Sequence, residues 1–161
     1  MCPNSSIAVN AAHVALQFPT VCAQPVVISI IGAIDQNGCM VPDPTNVICA
    51  PIGYNLNPGA AGTFLFNLPI PAGCCITTKA FLSINFITPG VGCSTSATRP
   101  RLITTASCAP CTSWNTWVGG TDDLCVDIGF PGNPIMYADG DCCSTTRAEK
   151  ASWGQLKSLY R

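Results

Sequence analysis

Charge is scarce in this 161-residue chain: Asp, Glu, Lys and Arg together make up 9% of it, against about 25% in ordinary globular domains. Glutamate occurs once, as Glu149, and histidine once, as His13. With a formal net charge of −1, the chain has no electrostatic footprint for nucleic acid or an anionic membrane surface. Long apolar runs are missing as well. Gly, Pro, Asn and Thr interrupt every stretch before it reaches the roughly twenty residues of a membrane-spanning helix. Fourteen prolines exclude long helices, because proline removes a backbone donor and clashes with the preceding turn. Met1-Cys2-Pro3 has neither the basic start nor the apolar core of a secretory signal. The numbering is therefore expected to begin at a processed form or at an added Met1.

Catalytic motifs are lacking too. No GxSxG, HExxH or Walker loop occurs. His13 sits in an Ala/Val-rich run and reads as a strand histidine at an edge or surface rather than as a general base. A glycosidase needs two acids across a cleft, and only Asp122, Asp123, Asp127, Asp139 and Asp141 are on offer, with nothing to mark a pocket. The expectation is a protein that is not an enzyme.

What the chain does have is cysteine. Twelve are present: Cys2, Cys22, Cys39, Cys49, Cys74, Cys75, Cys93, Cys108, Cys111, Cys125, Cys142 and Cys143. An even number spread from end to end predicts a disulfide framework made in an oxidising compartment, so the protein is expected to be secreted, extracellular or on the cell surface. Each doublet, Cys74-Cys75 and Cys142-Cys143, should send its two bridges in different directions, because adjacent strand side chains point to opposite faces. Zinc would need a second Cys or His knuckle, and there is one CxxC only, Cys108-Ala109-Pro110-Cys111. Its surroundings lack the strand-to-helix context of a redox pair, so a structural bridge or turn is the better reading.

Charge is also unevenly placed. Residues 1–146 carry seven aspartates and three bases (Lys79, Arg99, Arg101), whereas residues 147–161 carry four bases and Glu149. We therefore expect a β-domain over 1–146 and a basic helix or arm over 147–161. Ser152 and Gln155 make a capping-box pattern, and Trp153, Leu156, Leu159 and Tyr160 fall on one stripe. A helix this short is marginal alone in water. Arg147, Lys150, Trp153, Leu156, Lys157, Tyr160 and Arg161 are thus the candidate contacts, with a neighbouring copy or with the chain's own body.

The body reads as short strands between Gly/Pro/Asn turns, the pattern of an antiparallel β-sandwich or jelly roll. Strands are expected at 7–18, 25–34, 62–70, 75–88, 101–106, 124–128 and 134–138. Phe64, Phe66 and Leu68, and likewise Leu82, Ile84 and Phe86, recur with the two-residue period of a half-buried strand. Val26 to Ile31 is almost continuously apolar and should be central, covered on both faces. Residues 38–61 show no clear period and should form a long excursion pinned by Cys39 and Cys49.

Two binding chemistries fit the remaining residues. Asp122, Asp123, Asp139 and Asp141 have the hard oxygen donors that calcium takes, provided two loops meet in space; otherwise they are solvated turn residues, and no cofactor is expected. Trp114, Trp117 and Tyr137 suit stacking on sugar rings, or filling of the core. Trp114 and Trp117 are three apart, so in a strand they face opposite sides. Asn4-Ser5-Ser6 is an N-glycosylation sequon.

From Arg101-Leu102-Ile103-Thr104 through Cys111-Thr112-Ser113-Trp114-Asn115, Gly129-Phe130-Pro131-Gly132-Asn133 and Tyr137-Ala138-Asp139 to the Trp153-Gly154 ending, the last third resembles uncharacterised cysteine-rich modules at the C-terminal end of secreted bacterial proteins. The resemblance implies an exported β-sandwich and no site residues. Together these readings predict an all-β, disulfide-stapled structural protein that assembles with copies of itself into a filament, coat or matrix. The rival is a carbohydrate-binding or adhesive module with glycans as partners.

Overall fold

The structure is a computed structural model and describes residues 6–71, 74–88 and 92–143. The expected C-terminal helix or arm, Cys2 and Asn4 of the sequon lie outside these residues. Ten strands follow in chain order: β1 (Ile7–Phe18), β2 (Gln24–Gln36), β3 (Cys39–Leu56), β4 (Gly62–Pro69), β5 (Cys75–Ile76), β6 (Ala80–Phe86), β7 (Arg101–Leu102), β8 (Trp114–Trp117), β9 (Gly120–Asp123) and β10 (Met136–Cys142). The described chain is all-β, and its strands pair antiparallel throughout. No helix among the described residues is long and apolar enough to cross a membrane.

β1 is the axis of a five-stranded sheet. Along one edge it pairs with β10 and then β7; along the other it pairs with β5 and then β4. Its residues in the core are Val9, then Ala12, Val14, Leu16 and Phe18, with Ala15 buried too, on the other face of the second half; the core residues differ in parity. A register shift against β10 between Val9 and Ala11 reconciles them. The extra residue, Asn10, turns both halves of the strand inward.

β2 is central in a three-stranded sheet, flanked by β3 and β6. Val26, Ile28 and Ile30 are buried, whereas Val27 and Ser29 on the opposite face are half-buried. The strand is therefore central, as its apolar run predicts; one face is fully covered and the other in part, with Ile31 buried there as well. β2 turns into β3 through Asn37-Gly38, at φ 56° and 86°. Two positive φ values make the primed turn that matches strand twist, and Asp35 Oδ1 accepts the Gly38 N–H at 2.8 Å.

The expected excursion after Gly38 is instead a strand, β3, running from Cys39 to Leu56 with three register shifts against β2. Between the pairs Ile31↔Val47 and Gly32↔Asp43, residues 44–46 loop out, and Asp43 Oδ1 accepts both the N–H and the hydroxyl of Thr45. Bulges erase the two-residue period in the sequence while leaving most of the ladder intact. Residues 124–128, expected as a strand, form a turn, and the strand lies just before them at β9. The expected strand over 75–88 is divided into β5 and β6.

The two sheets face each other across one core, an arrangement consistent with the expected sandwich. Val14, Leu16, Phe18 and Leu68 come from the β1 sheet, and Val26, Ile28 and Leu56 from the β2 sheet, with Phe64, Phe66, Leu82 and Ile84 packed around them. Phe18 meets Phe64 and Phe66 edge-on at centroid separations of 6.3 and 5.7 Å.

Disulfides bind the loops to this core. Cys22–Cys93, Cys39–Cys111, Cys49–Cys74, Cys75–Cys143 and Cys108–Cys125 span 71, 72, 25, 68 and 17 residues, and Cys142 is disulfide-bonded too. The Cys74-Cys75 doublet diverges to β3 and to the end of β10. The CxxC is split: Cys108 bonds Cys125 and Cys111 bonds Cys39, so it is two structural bridges rather than one redox pair. Each closed loop restricts the unfolded chain, typically by about 2–4 kcal/mol.

Burial makes a direct prediction. Leu16 is fully buried and Leu65 is 56% exposed on the neighbouring strand. In denaturant titrations with disulfides intact, Leu16→Ala is expected to cost about 2–5 kcal/mol. Leu65→Ala is expected to stay within about 0.5 kcal/mol.

Candidate functional site

β8 and β9 form a hairpin in which Trp114 pairs with Asp123, Asn115 with Asp122, Thr116 with Thr121 and Trp117 with Gly120. Alternation then puts Trp114, Thr116, Thr121 and Asp123 on one face and Asn115, Trp117 and Asp122 on the other. The first face looks toward the tip of the β2–β3 hairpin. Between them lies a recess of about 520 Å³ lined by Gln36, Asn37, Val41, Pro42, Trp114 and Thr121, with Cys39 at its wall. The Cys39–Cys111 bridge fixes its two sides together. Trp114 is half-buried and Trp117 48% exposed, so the pair splits as a strand spacing of three requires. The Trp114 Nε1–H is buried with no hydrogen-bond partner among the described residues. The recess thus combines an indole wall, two carboxamides and a hydroxyl.

The base of the hairpin is held by one carboxylate. Asp123 is 4% exposed; its Oδ2 accepts the Cys111 N–H at 2.6 Å, and its Oδ1 accepts the Cys125 and Val126 N–H groups at 2.7 and 3.1 Å. Burial acts on this carboxyl to raise its pKa and is the largest single influence. The three N–H groups together outweigh it and hold the pKa below the usual carboxylate range. Cys111 adopts φ 62°, and its N–H is one of the three donors.

A second polar cluster lies on the outer face of the five-stranded sheet. His13 is in register with Tyr137 on β10 and Asn67 on β4. Its ring stacks on Tyr137 at 4.5 Å and 12°, and Nε2 lies 2.7 Å from Asp139 Oδ2. A base with an orienting acid is half of a hydrolytic constellation. Among the described residues no hydroxyl or thiol hydrogen-bonds the imidazole. Tyr137 is therefore on a different sheet from Trp114 and Trp117, and the three aromatics do not form one platform.

The four aspartates considered for calcium also separate. Asp122 and Asp123 sit in the hairpin. Asp139 faces His13, and Asp141 accepts the Asn10 side-chain amide at 2.7 Å. No group of three or more His, Cys, Asp or Glu able to hold a metal occurs among the described residues. The candidate subunit contacts Arg147, Lys150, Trp153, Leu156, Lys157, Tyr160 and Arg161 lie outside the described residues. The recess is half legible in the sequence: Trp114 stands out as a stacking residue, whereas Gln36, Asn37 and Thr121 carry no local signal of pocket lining. The Asn37-Gly38 dipeptide is the signal that would have placed the hairpin tip there.

Asp123 gives a pH prediction. A carboxyl whose folded pKa lies below its unfolded value, about 3.9, stabilises the fold fully above that value and less as pH falls through the folded one. Asp123→Asn must turn an NH2 group toward one set of backbone donors. At pH 7 it is expected to cost about 1–3 kcal/mol, with the gap to the parent protein closing below about pH 4. Urea titrations across pH 2–7 check this.

No curated protein and no solved structure matches the chain. One family model does, across residues 1–140, ending inside β10. The chain belongs to that family, described as a Domain of unknown function (DUF7451).

Proposed function

We propose that this protein is a non-enzymatic, secreted structural protein that associates with copies of itself into an extracellular filament, coat or matrix. The observation that carries the reading is the apolar surface of a charge-poor body. Trp117, Val118, Val126 and Ile128 are exposed at 48, 109, 66 and 44% within residues 117–128, on a segment stapled by Cys108–Cys125. Apolar side chains grouped on a rigid surface favour burial against another molecule, and few like charges oppose the approach of a second copy. The bridges fit an oxidising environment and add durability. In this reading the basic residues Arg147, Lys150, Lys157 and Arg161, with Trp153, Leu156 and Tyr160, dock on the acidic body of the next subunit, a head-to-tail contact.

Light scattering and negative-stain microscopy of the non-reduced protein test it, with and without residues 147–161. Ordered polymers are expected from the full chain and not from the truncated one, and a Val118→Asp/Val126→Asp variant is expected to assemble less. A monomer in every form overturns the proposal.

The recess supports a second reading, a carbohydrate-binding or adhesive module. An indole face beside Gln36, Asn37 and Thr121 offers both stacking and hydrogen bonds to sugar hydroxyls, and the orphaned Trp114 Nε1–H is a donor that a ligand oxygen would satisfy. On a glycan array, binding that Trp114→Phe weakens by about tenfold, the loss expected from one buried donor, would favour this module. A blank array for the intact protein would discard it.

A further inference from the structure

At the other end of β2 lies a groove of about 680 Å³, lined by Gln24, Phe86, Ile87, Thr88, Arg99, Pro100, Arg101, Leu102 and Phe130. It lies between the end of β6 and the start of β7. Two of the three bases in residues 1–146, Arg99 and Arg101, stand here. Among the described residues the only ion pair is His13–Asp139, so neither arginine has a carboxylate partner there. The groove floor is buried Gln24, 2% exposed. Its amide Nε2 donates to Pro25 O at 2.7 Å and Ile87 O at 2.8 Å, which directs its NH2 group to the backbone and leaves Oε1 without a partner among the described residues.

The walls are fixed before any ligand arrives. Ile87 N–H bonds Pro25 O at 3.0 Å, Phe130 N–H bonds Leu124 O at 2.8 Å, and Arg99 N–H bonds Thr95 O at 2.9 Å. Arg101 is held by the β7–β1 pairing. The loop leading to Arg99 is anchored by Cys22–Cys93. Preorganised walls reduce the ordering that binding must offset.

We infer that this groove is a binding site for a small anionic amphiphile, a carboxylate or sulfonate with an apolar body. The two guanidinium groups take the anion, with the bidentate geometry that favours arginine at such sites. Phe86, Leu102 and Phe130 take the apolar body. The Gln24 Oε1 acceptor favours a ligand that also carries a hydroxyl or amide N–H. A neutral amphiphile would fill the same walls but leave the arginines unanswered. The site is independent of self-association: it is lined by none of Trp117, Val118, Val126 and Ile128.

Isothermal titration with sodium decanoate, below its micellar range, tests the inference, with decanamide as the neutral counterpart. Saturable decanoate binding is expected. It should be weakened about tenfold by exchange for decanamide and by Arg99→Gln/Arg101→Gln, in line with the loss of charge-assisted hydrogen bonds. Lys79→Gln, which removes the third base of the body, should leave it unchanged. Both arginines are exposed, and circular dichroism verifies that the double variant is folded. The decanoate–decanamide comparison on the unaltered protein holds even if it is not. No saturable binding, equal affinity for the two ligands, or an equal loss in Lys79→Gln overturns the site.

Discussion

Every other element depends on the backbone ladder of β1 being satisfied along both edges. Four strands share that task, and two of them, β5 and β7, are two residues long. Strands so short have no independent stability. β5 holds its place because Cys75 bonds Cys143 beyond β10 and Cys74 bonds Cys49 on β3. The bridges at β5 therefore connect the two outer partners of β1 to each other and to the second sheet. They do more than add durability to a finished core, because they close the β1 edge where hydrogen bonding alone would fray.

Scarcity of charge shapes what the few carboxylates do. Asp43 and Asp123 are both used as acceptors for backbone N–H groups at irregular positions, one in the β3 bulge and one at the base of the β8–β9 hairpin. Such groups cannot be left unpaired where the ladder breaks. Asp139 and Asp141 meet His13 and Asn10 across β1 and β10. The carboxylates are thus dispersed: Asp123, Asp139 and Asp141 each hold a local partner, and Asp122 lies on the opposite face of its hairpin from Asp123, so no calcium cage forms from the four. Among the described residues Arg99 and Arg101 show the opposite pattern: both line one groove, and neither pairs with a carboxylate.

The strands with a clean two-residue period were legible. β1 was placed to the residue, and β2 and β4 to within a few. Divergence of the Cys74-Cys75 doublet and the structural use of the CxxC followed from strand geometry and from context. What failed has one physical cause: bulges and tight turns. β3 reads as an excursion in the sequence because three register shifts hide its alternation, although Asn37-Gly38 announces the hairpin that starts it. The expected strand at 124–128 is a turn, because the N–H groups of Cys125 and Val126 are ordered around the Asp123 carboxylate instead of a ladder. Periodicity reports regular ladders. It says nothing of side chains that replace the ladder, and nothing of which distant residues meet in a recess or groove.

The position of those two concavities limits how the molecule can work. Gln24 begins β2 and lies in the groove; Gln36 ends it and lies in the recess. A strand of this length sets them about 40 Å apart at the usual rise of roughly 3.3 Å per residue. Between them the strand is paired on both edges from Val26 to Gly32 and packed on its inner face. On the two proposed binding readings, sites at opposite ends of one strand would serve as separate attachment points. A ligand in the groove leaves the hairpin end, with its exposed Trp117 and Val118, free to meet a neighbour.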